Sequence, residues 1–193
     1  SEGGDLLILS MGTGLFHLGN HLMTREFRDG RGHATILMAN AMWDHTQGLG
    51  FFAPVFVPGN QFTLWGNAAT ADALERIMEG GMNPNVSPIQ TLRNLGAAFT
   101  IKATPVGTPF EIGDFTVSAI ANPHGTVTSL AFRIVERATA KVLVFAPDVG
   151  YPDAGAPAET IAFYRGADVL IHDTTFSVAD DLENDALGYS SVR

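Results

Sequence analysis

Three histidines and three aspartates stand at or just past the ends of apolar runs. Asp44 and His45 follow the run His33 to Ala39 (HATILMA), and His124, with Asn122 before it, follows Phe115 to Ala121. Asp148 follows Lys141 to Ala146, and His172 with Asp173 follows Asp168 to Ile171. Imidazole nitrogens and carboxylate oxygens are the donors that zinc or manganese takes. A strand end projects such a group into a crevice while the sheet holds it rigid. Spacing alone leaves each residue a plainer role as well. Asp44 could cap the short helix that follows it, Asp148 could be a turn residue in Pro147-Asp148-Val149-Gly150, and His172 with Asp173 could share a hydrogen bond that fixes the strand end. His17, His21 and His33 fall on an amphipathic helix and at a strand start, and read as surface or packing residues.

The elements that must position these groups are legible from periodicity and punctuation. Leu6 to Leu9 (LLIL), between Gly3-Gly4 and Gly12-Thr13-Gly14, predicts a buried strand entering a tight turn. Leu15, Leu18, Leu22 and Met23 recur at helical spacing, with Gly30-Arg31-Gly32 closing that segment. A second buried strand is expected over His33 to Ala39, and a strand at Gln61 to Trp65. A helix is expected from Thr70 to Glu79, with Thr70 and Asp72 as caps. Between them Gly48 to Asn60 (GLGFFAPVFVPGN) carries too many glycines and prolines for a regular element and predicts a packed aromatic loop, one that could form a pocket wall. Met42 and Trp43 read as packing residues. From Ala97 onward four short β segments (Phe99 to Ala103, Phe115 to Ala121, Thr128 to Val135, Lys141 to Ala146) predict a meander. Ala156 to Tyr164 reads as a helix with Pro157 in its first turn, Asp168 to Ile171 as another buried strand, and Ser177 to Ala186 as an acidic surface helix. Strands and helices at both ends with a β-rich middle define a layered α/β architecture.

Composition removes several function classes. The 193 residues suit one domain over 1–193, and the absence of cysteine rules out a disulfide or zinc-thiolate scaffold. With 46% hydrophobic and 16% charged residues the chain is expected to fold on its own. A formal charge of −9 repels polyanions, so nucleic acid is not an expected partner. No apolar run approaches the roughly 20 residues of a membrane span, and no basic, apolar, small-residue signal pattern is present, so a soluble cytoplasmic protein is expected.

Taken in order, Gly12-Thr13-Gly14, Trp43-Asp44-His45-Thr46-Gln47-Gly48, Asp148 after its strand and His172-Asp173-Thr174-Thr175-Phe176 resemble the metallo-β-lactamase superfamily, and within it the phosphodiesterase branch that includes ribonuclease Z-like enzymes. The resemblance implies a four-layer αββα sandwich with metals at the edge between two sheets, here short at both ends. It implies metal ligation by Asp44, His45, His124 and Asp148, with Asp148 at the bridging position. It also implies catalytic roles for Asp44, His172 and Asp173, the last two assisting proton transfer to the leaving group.

Residue by residue the chain departs from that pattern. Where the family has His-x-His-x-Asp-His, this sequence reads Asn40-Ala41-Met42-Trp43-Asp44-His45. Ser10 stands where the first strand normally ends in Asp, and Gly188-Tyr189-Ser190 where the family has Gly-His-Ser. An amide oxygen is a weak zinc ligand, a thioether suits Cu(I), and a tyrosine ligates only as a phenolate. The retained half-site, Asp44, His45 and Asp148, still offers three ligands for a single zinc or manganese. Two functions stay open. One is a divergent member with an incomplete metal site, catalytically silent or weakly active and used for binding a small molecule or a protein partner, with no metal if the pocket is silent. The other is a metal-dependent hydrolase acting on a small phosphodiester or other ester. A homo-oligomer is compatible with either.

Overall fold

The computed structural model describes residues 6–69, 71–80, 82, 85, 87, 89, 91–151 and 155–175. The chain divides into two compact units, residues 1–104 and 105–193. The expected cap at Thr70, the acidic helix from Ser177 to Ala186 and the Gly188-Tyr189-Ser190 segment lie outside the described residues.

The first unit is built on a parallel sheet of four strands in chain order: β1 (Leu6–Leu9), β2 (His33–Leu37), β3 (Gln61–Gly66) and β4 (Ala98–Ala103). Its register places Ile8, Ile36, Leu64 and Ile101 side by side in one row, with Ile36 and Leu64 fully buried. Parallel neighbours need crossovers, and α1 (Gly14–Leu22) and α3 (Ala71–Gly80) supply two of them. Leu15, Gly19 and Leu22 give α1 its buried stripe, and Leu74 and Met78 give α3 the same. The helix from the first Gly-rich turn stops at Leu22. The chain then makes a 3-10 turn over Glu26–Asp29, ended by Gly30 in the left-handed conformation (φ 71°). A cluster of rings forms the middle of this core, with Phe27, Phe52 and Phe99 at 6.0, 5.6 and 5.4 Å from Phe62.

The expected loop from Gly48 to Asn60 is two 3-10 turns, Gln47–Phe51 and Ala53–Phe56. Leu49, Phe52 and Val55 anchor it, whereas Phe51 and Phe56 stay exposed. Its end is tied down by Asn60, fully buried, which accepts from Gly32 N–H (2.8 Å) and donates to the Phe27 and Pro54 carbonyls (both 2.9 Å). Strand β4 corrects the sequence reading. It belongs to this parallel sheet and not to the meander, because alternation reports burial on one face and carries no information on partner or direction.

The second unit holds a five-stranded sheet in the order β5 (Phe110–Ile112), β6 (Phe115–His124), β7 (Val127–Glu136), β8 (Val142–Ala146) and β9 (Val169–His172). The first three pairings are antiparallel, as the expected meander requires, and β8 with β9 is parallel across α4 (Ala158–Tyr164). Strands β6 and β7 form a ten-residue hairpin closed by two residues, with Gly125 at φ 55°. Arg133 Nη1 donates to the Phe163 and Arg165 carbonyls at 3.0 and 3.2 Å, satisfying the C-terminal end of α4. Strand β9 corrects a second expectation. It is the last strand in the sheet order, and Val169, Leu170 and Ile171 are about half exposed (50%, 49% and 45%), so it is not buried. Among the described residues no helix is long and apolar enough to cross a membrane.

Candidate metal and ligand site

In the first unit the chain leaves β1 at Ser10, whose φ of 68° is uncommon for a residue with a side chain. Its N–H donates to Leu37 O (2.9 Å), Met11 N–H donates to His45 O (3.0 Å), and Gly48 N–H donates to Met11 O (2.9 Å). The turn after β1 is thereby joined to the short helix α2 (Trp43–Thr46). Gly48 is required there, because a Cβ at that position would lie 1.9 Å from Gly12 O.

His45 is buried, with Nδ1 2.7 Å from Ser10 Oγ and Nε2 3.6 Å from Asp44 Oδ2. A hydrogen bond on one ring nitrogen fixes the ring and directs the other at a metal, which is the usual support of a histidine ligand. Asp44 is half exposed and lies in the first turn of α2. The residue at the cap is Met42, and no side chain caps this helix, so the capping role for Asp44 is overturned. Asn40 is buried, and its Oδ1 accepts from Met42 N–H at 3.0 Å. Met42 and Trp43 are 38% and 75% exposed, which overturns their reading as packing residues. Both fall where the backbone turns out of β2 into α2, and apolar character alone does not reveal that.

In the second unit Asn122 and His124 lie within the last three positions of β6 and are buried, whereas the sequence places them past the strand. Asp148, just after β8, is buried with φ 51°. Left-handed backbone at a residue with a Cβ is strain of the kind that collects at functional sites. Asp173 accepts from Val149 N–H (3.2 Å) through Oδ2, and from Thr175 N–H (2.9 Å) and Oγ1 (2.6 Å) through Oδ1. It thus holds the turn that carries Asp148. His172 Nδ1 lies 2.6 Å from the Asp173 carbonyl oxygen, which can only accept, so Nδ1 carries a proton. Its Nε2 is 2.7 Å from Tyr151 Oη. The Tyr151 and Tyr164 hydroxyls are 3.2 Å apart, and Asn122 Nδ2 donates to Tyr164 at 3.1 Å. Asn122 Oδ1 is buried with no partner among the described residues. Burial pushes both phenols up, Tyr151 well above the ordinary tyrosine range, with the Tyr164 hydrogen bond as the second cause. Neither tyrosine was singled out in the sequence, and no local pattern marks a partner 21 residues away.

Asp44, His45 and Asp148 are donors of the kinds a divalent cation takes, one exposed and two buried. Asn40 and Met42 do not fit such an ion, the first because its oxygen serves the backbone and the second because a thioether is too soft.

Sheets and helices of this kind are found in solved metallo-β-lactamase-fold structures. The metallo-β-lactamase fold protein YhfI from Bacillus subtilis superposes with a TM-score of 0.64 at 19% identity, over 96% of this chain and 64% of that one. The short form of human tRNase Z gives 0.59 at 16% identity, over 96% of this chain and 73% of that one. Yeast PDE1 gives 0.59 at 15% identity, over 83% and 48%. The chain therefore spans just under two thirds of YhfI, and these likenesses establish the fold. A model of the beta-lactamase superfamily domain matches residues 16–186, and the chain belongs to that family. No curated protein sequence matches it. The fold class and the family expected from the sequence are both borne out.

Proposed function

We propose that this chain is a divergent family member that binds a small ester or phosphodiester and turns it over slowly or not at all, with at most one zinc or manganese held by Asp44, His45 and Asp148. The observation that carries this reading is the hydrogen bond from Met42 N–H to Asn40 Oδ1. The turn that would have to present two ligands to a first metal is closed on its own backbone instead. Of the ligands the resemblance implies for that first metal only the imidazole of His124 is kept, and one imidazole is too little for a stable site. The charge of −9 favours a small ligand over a nucleic acid.

A second reading, a hydrolase with one metal, is favoured by the Ser10 to His45 hydrogen bond, which orients a buried imidazole as a ligand is oriented. A divalent ion in the half-site would lower the pKa of water and polarise the ester. In that reading Asp44 and Asp148 supply negative charge to the ion and accept a proton. His172, whose Nδ1 is held by the Asp173 carbonyl, would pass a proton toward the leaving group from Nε2 once that nitrogen parts from Tyr151. Asp173 positions Asp148 through Val149.

Elemental analysis of the purified protein after mild dialysis, with ester and phosphodiester turnover measured alongside, separates the two. Near-zero metal, no rise in Tm on adding zinc or manganese and no turnover support the binding domain. One equivalent that disappears in Asp148→Ala, beside turnover in the ordinary enzymatic range of about 1 per second or more that disappears with it, overturns it in favour of the hydrolase.

A further inference from the structure

Beside Asp44 and His45, and within the first unit, lies a groove of about 530 Å³, a size typical of small-molecule sites. One wall comes from α2 and the 3-10 turn after it, including Trp43 and Phe51, and the other from Ile77 and Met78 of α3 with Met82, Ser87 and Ile89. The chain has 31 charged side chains, and among the described residues none lines this groove. Its hydroxyls are spent locally, Thr46 Oγ1 on the Met42 and Trp43 carbonyls (3.1 and 3.3 Å) and Ser87 Oγ on Ile89. What remains for a ligand is mostly apolar surface, with the Gln47 amide as a polar side chain in the lining and two exposed rings, Trp43 at 75% and Phe51 at 67%, beside Ile77 at 49%. Exposed apolar side chains gathered along one groove mark a binding surface, whereas scattered ones do not.

We propose that this groove is the subsite for a flat, uncharged aromatic group, so that the ligand of the neighbouring half-site is an aryl or arylalkyl ester. The proposal rests on the ligand-binding reading above and names the class of ligand. Trp43 and Phe51 supply faces for stacking, and Met78 supplies a polarisable thioether. An anionic group would find no cation in the lining and would lose its hydration uncompensated. Because Trp43 and Thr46 flank Asp44 and His45 on the same helical turn, the aromatic group and the ester are bound by adjoining residues.

The chain has two tryptophans, so Trp65→Phe leaves Trp43 as the only indole. Titrating that variant, stripped of metal by a chelator, with 4-nitroacetanilide tests the subsite directly, since a neutral nitroaromatic quenches an indole it stacks on. The expected result is saturable quenching, about tenfold weaker in Ile77→Asp and clearly weaker in Phe51→Ser, with 4-nitrobenzoate a poorer ligand than the neutral amide. Quenching that stays linear in concentration, or is unchanged in Ile77→Asp, overturns the subsite. Competition by N-cyclohexylacetamide as strong as that by acetanilide overturns its aromatic character. The readout needs no metal. Saturable binding in a chain that never takes up metal would keep the subsite and sink the hydrolase. Metal uptake with no binding would do the reverse.

Discussion

Ser10 Oγ and His45 Nδ1, 35 residues apart, meet at 2.7 Å. Ser10 reaches that point only by taking a left-handed backbone at the end of β1, and a non-glycine residue held there is ordinarily at a small energetic disadvantage. The hydroxyl therefore does something the backbone does not require. Ser10→Gly removes it while relieving the strain, so stability and ligand orientation are expected to move in opposite directions. Tm should hold or rise slightly. In the one-metal reading, zinc affinity, read by competition with a chromophoric chelator, should fall by about tenfold, at the lower end of what the loss of a histidine's supporting partner costs. Unchanged affinity would mean that Ser10 does not orient the imidazole.

Asn40 and Met42 carry the next expectation. Replacing Asn40, Met42 and Tyr189 together by histidine restores the imidazoles that the family pattern has at these positions, at the cost of the Asn40 to Met42 hydrogen bond, about 1 kcal/mol. The triple variant should be slightly less stable without metal and should take up more zinc per chain than the wild type. It should also gain more Tm on zinc addition. Elemental analysis and a thermal melt with and without zinc check both halves. Equal uptake in the two proteins would show that these three positions do not correspond to the family's ligand positions.

These relationships explain how much the sequence could reveal. Strand positions β1, β2, β3, β6, β7 and β8 follow from apolar runs cut by glycine and proline, because periodicity and punctuation are local. Where each strand pairs is not local. The same alternation in β4 fits a meander or a parallel sheet, and the apolar run of β9 reads as buried although it lies at a sheet edge. Asp44, His45, Asp148, His172 and Asp173 could be picked out by the donor type of their side chains and by their places after apolar runs. The partners that fix them were not. Ser10 for His45, Tyr151 for His172 and the Val149 N–H for Asp173 are separated from them by 35, 21 and 24 residues. Trp43 was misjudged because an apolar residue next to a strand end is compatible with either face of the turn.

Asn60 offers a test of the frame that carries the site. Its amide satisfies one N–H and two carbonyls in a fully buried place, joining the turn before β2 to the two segments packed over it. Asn60→Ala leaves all three groups without that partner, and the expected loss is about 3 kcal/mol in urea unfolding. Asn60→Asp sets a buried carboxylate against two carbonyl oxygens and should be at least as damaging at neutral pH. A loss below about 1 kcal/mol in the alanine variant would mean that these backbone groups find other partners.

Tyr151 and Tyr164 make the alkaline limb of stability predictable. Burial is the main reason both phenols are held above the ordinary value of 10.0. The unfolded chain ionises its tyrosines near that value, whereas the folded chain keeps these two protonated. Below about pH 10 both states carry the proton and the contribution is fully present; as pH rises from there toward the folded values, the unfolded state loses protons first and stability falls. In a titration followed by phenolate absorbance, Tyr151 and Tyr164 should ionise only together with the loss of native circular dichroism. Tyr151→Phe should make the decline in Tm above pH 10 shallower, because one raised phenol is gone. At neutral pH it should leave the protein modestly less stable, since His172 loses its 2.7 Å partner. Ionisation of all three tyrosines near pH 10 in a chain that stays folded would overturn this reading, because it would place both hydroxyls in water.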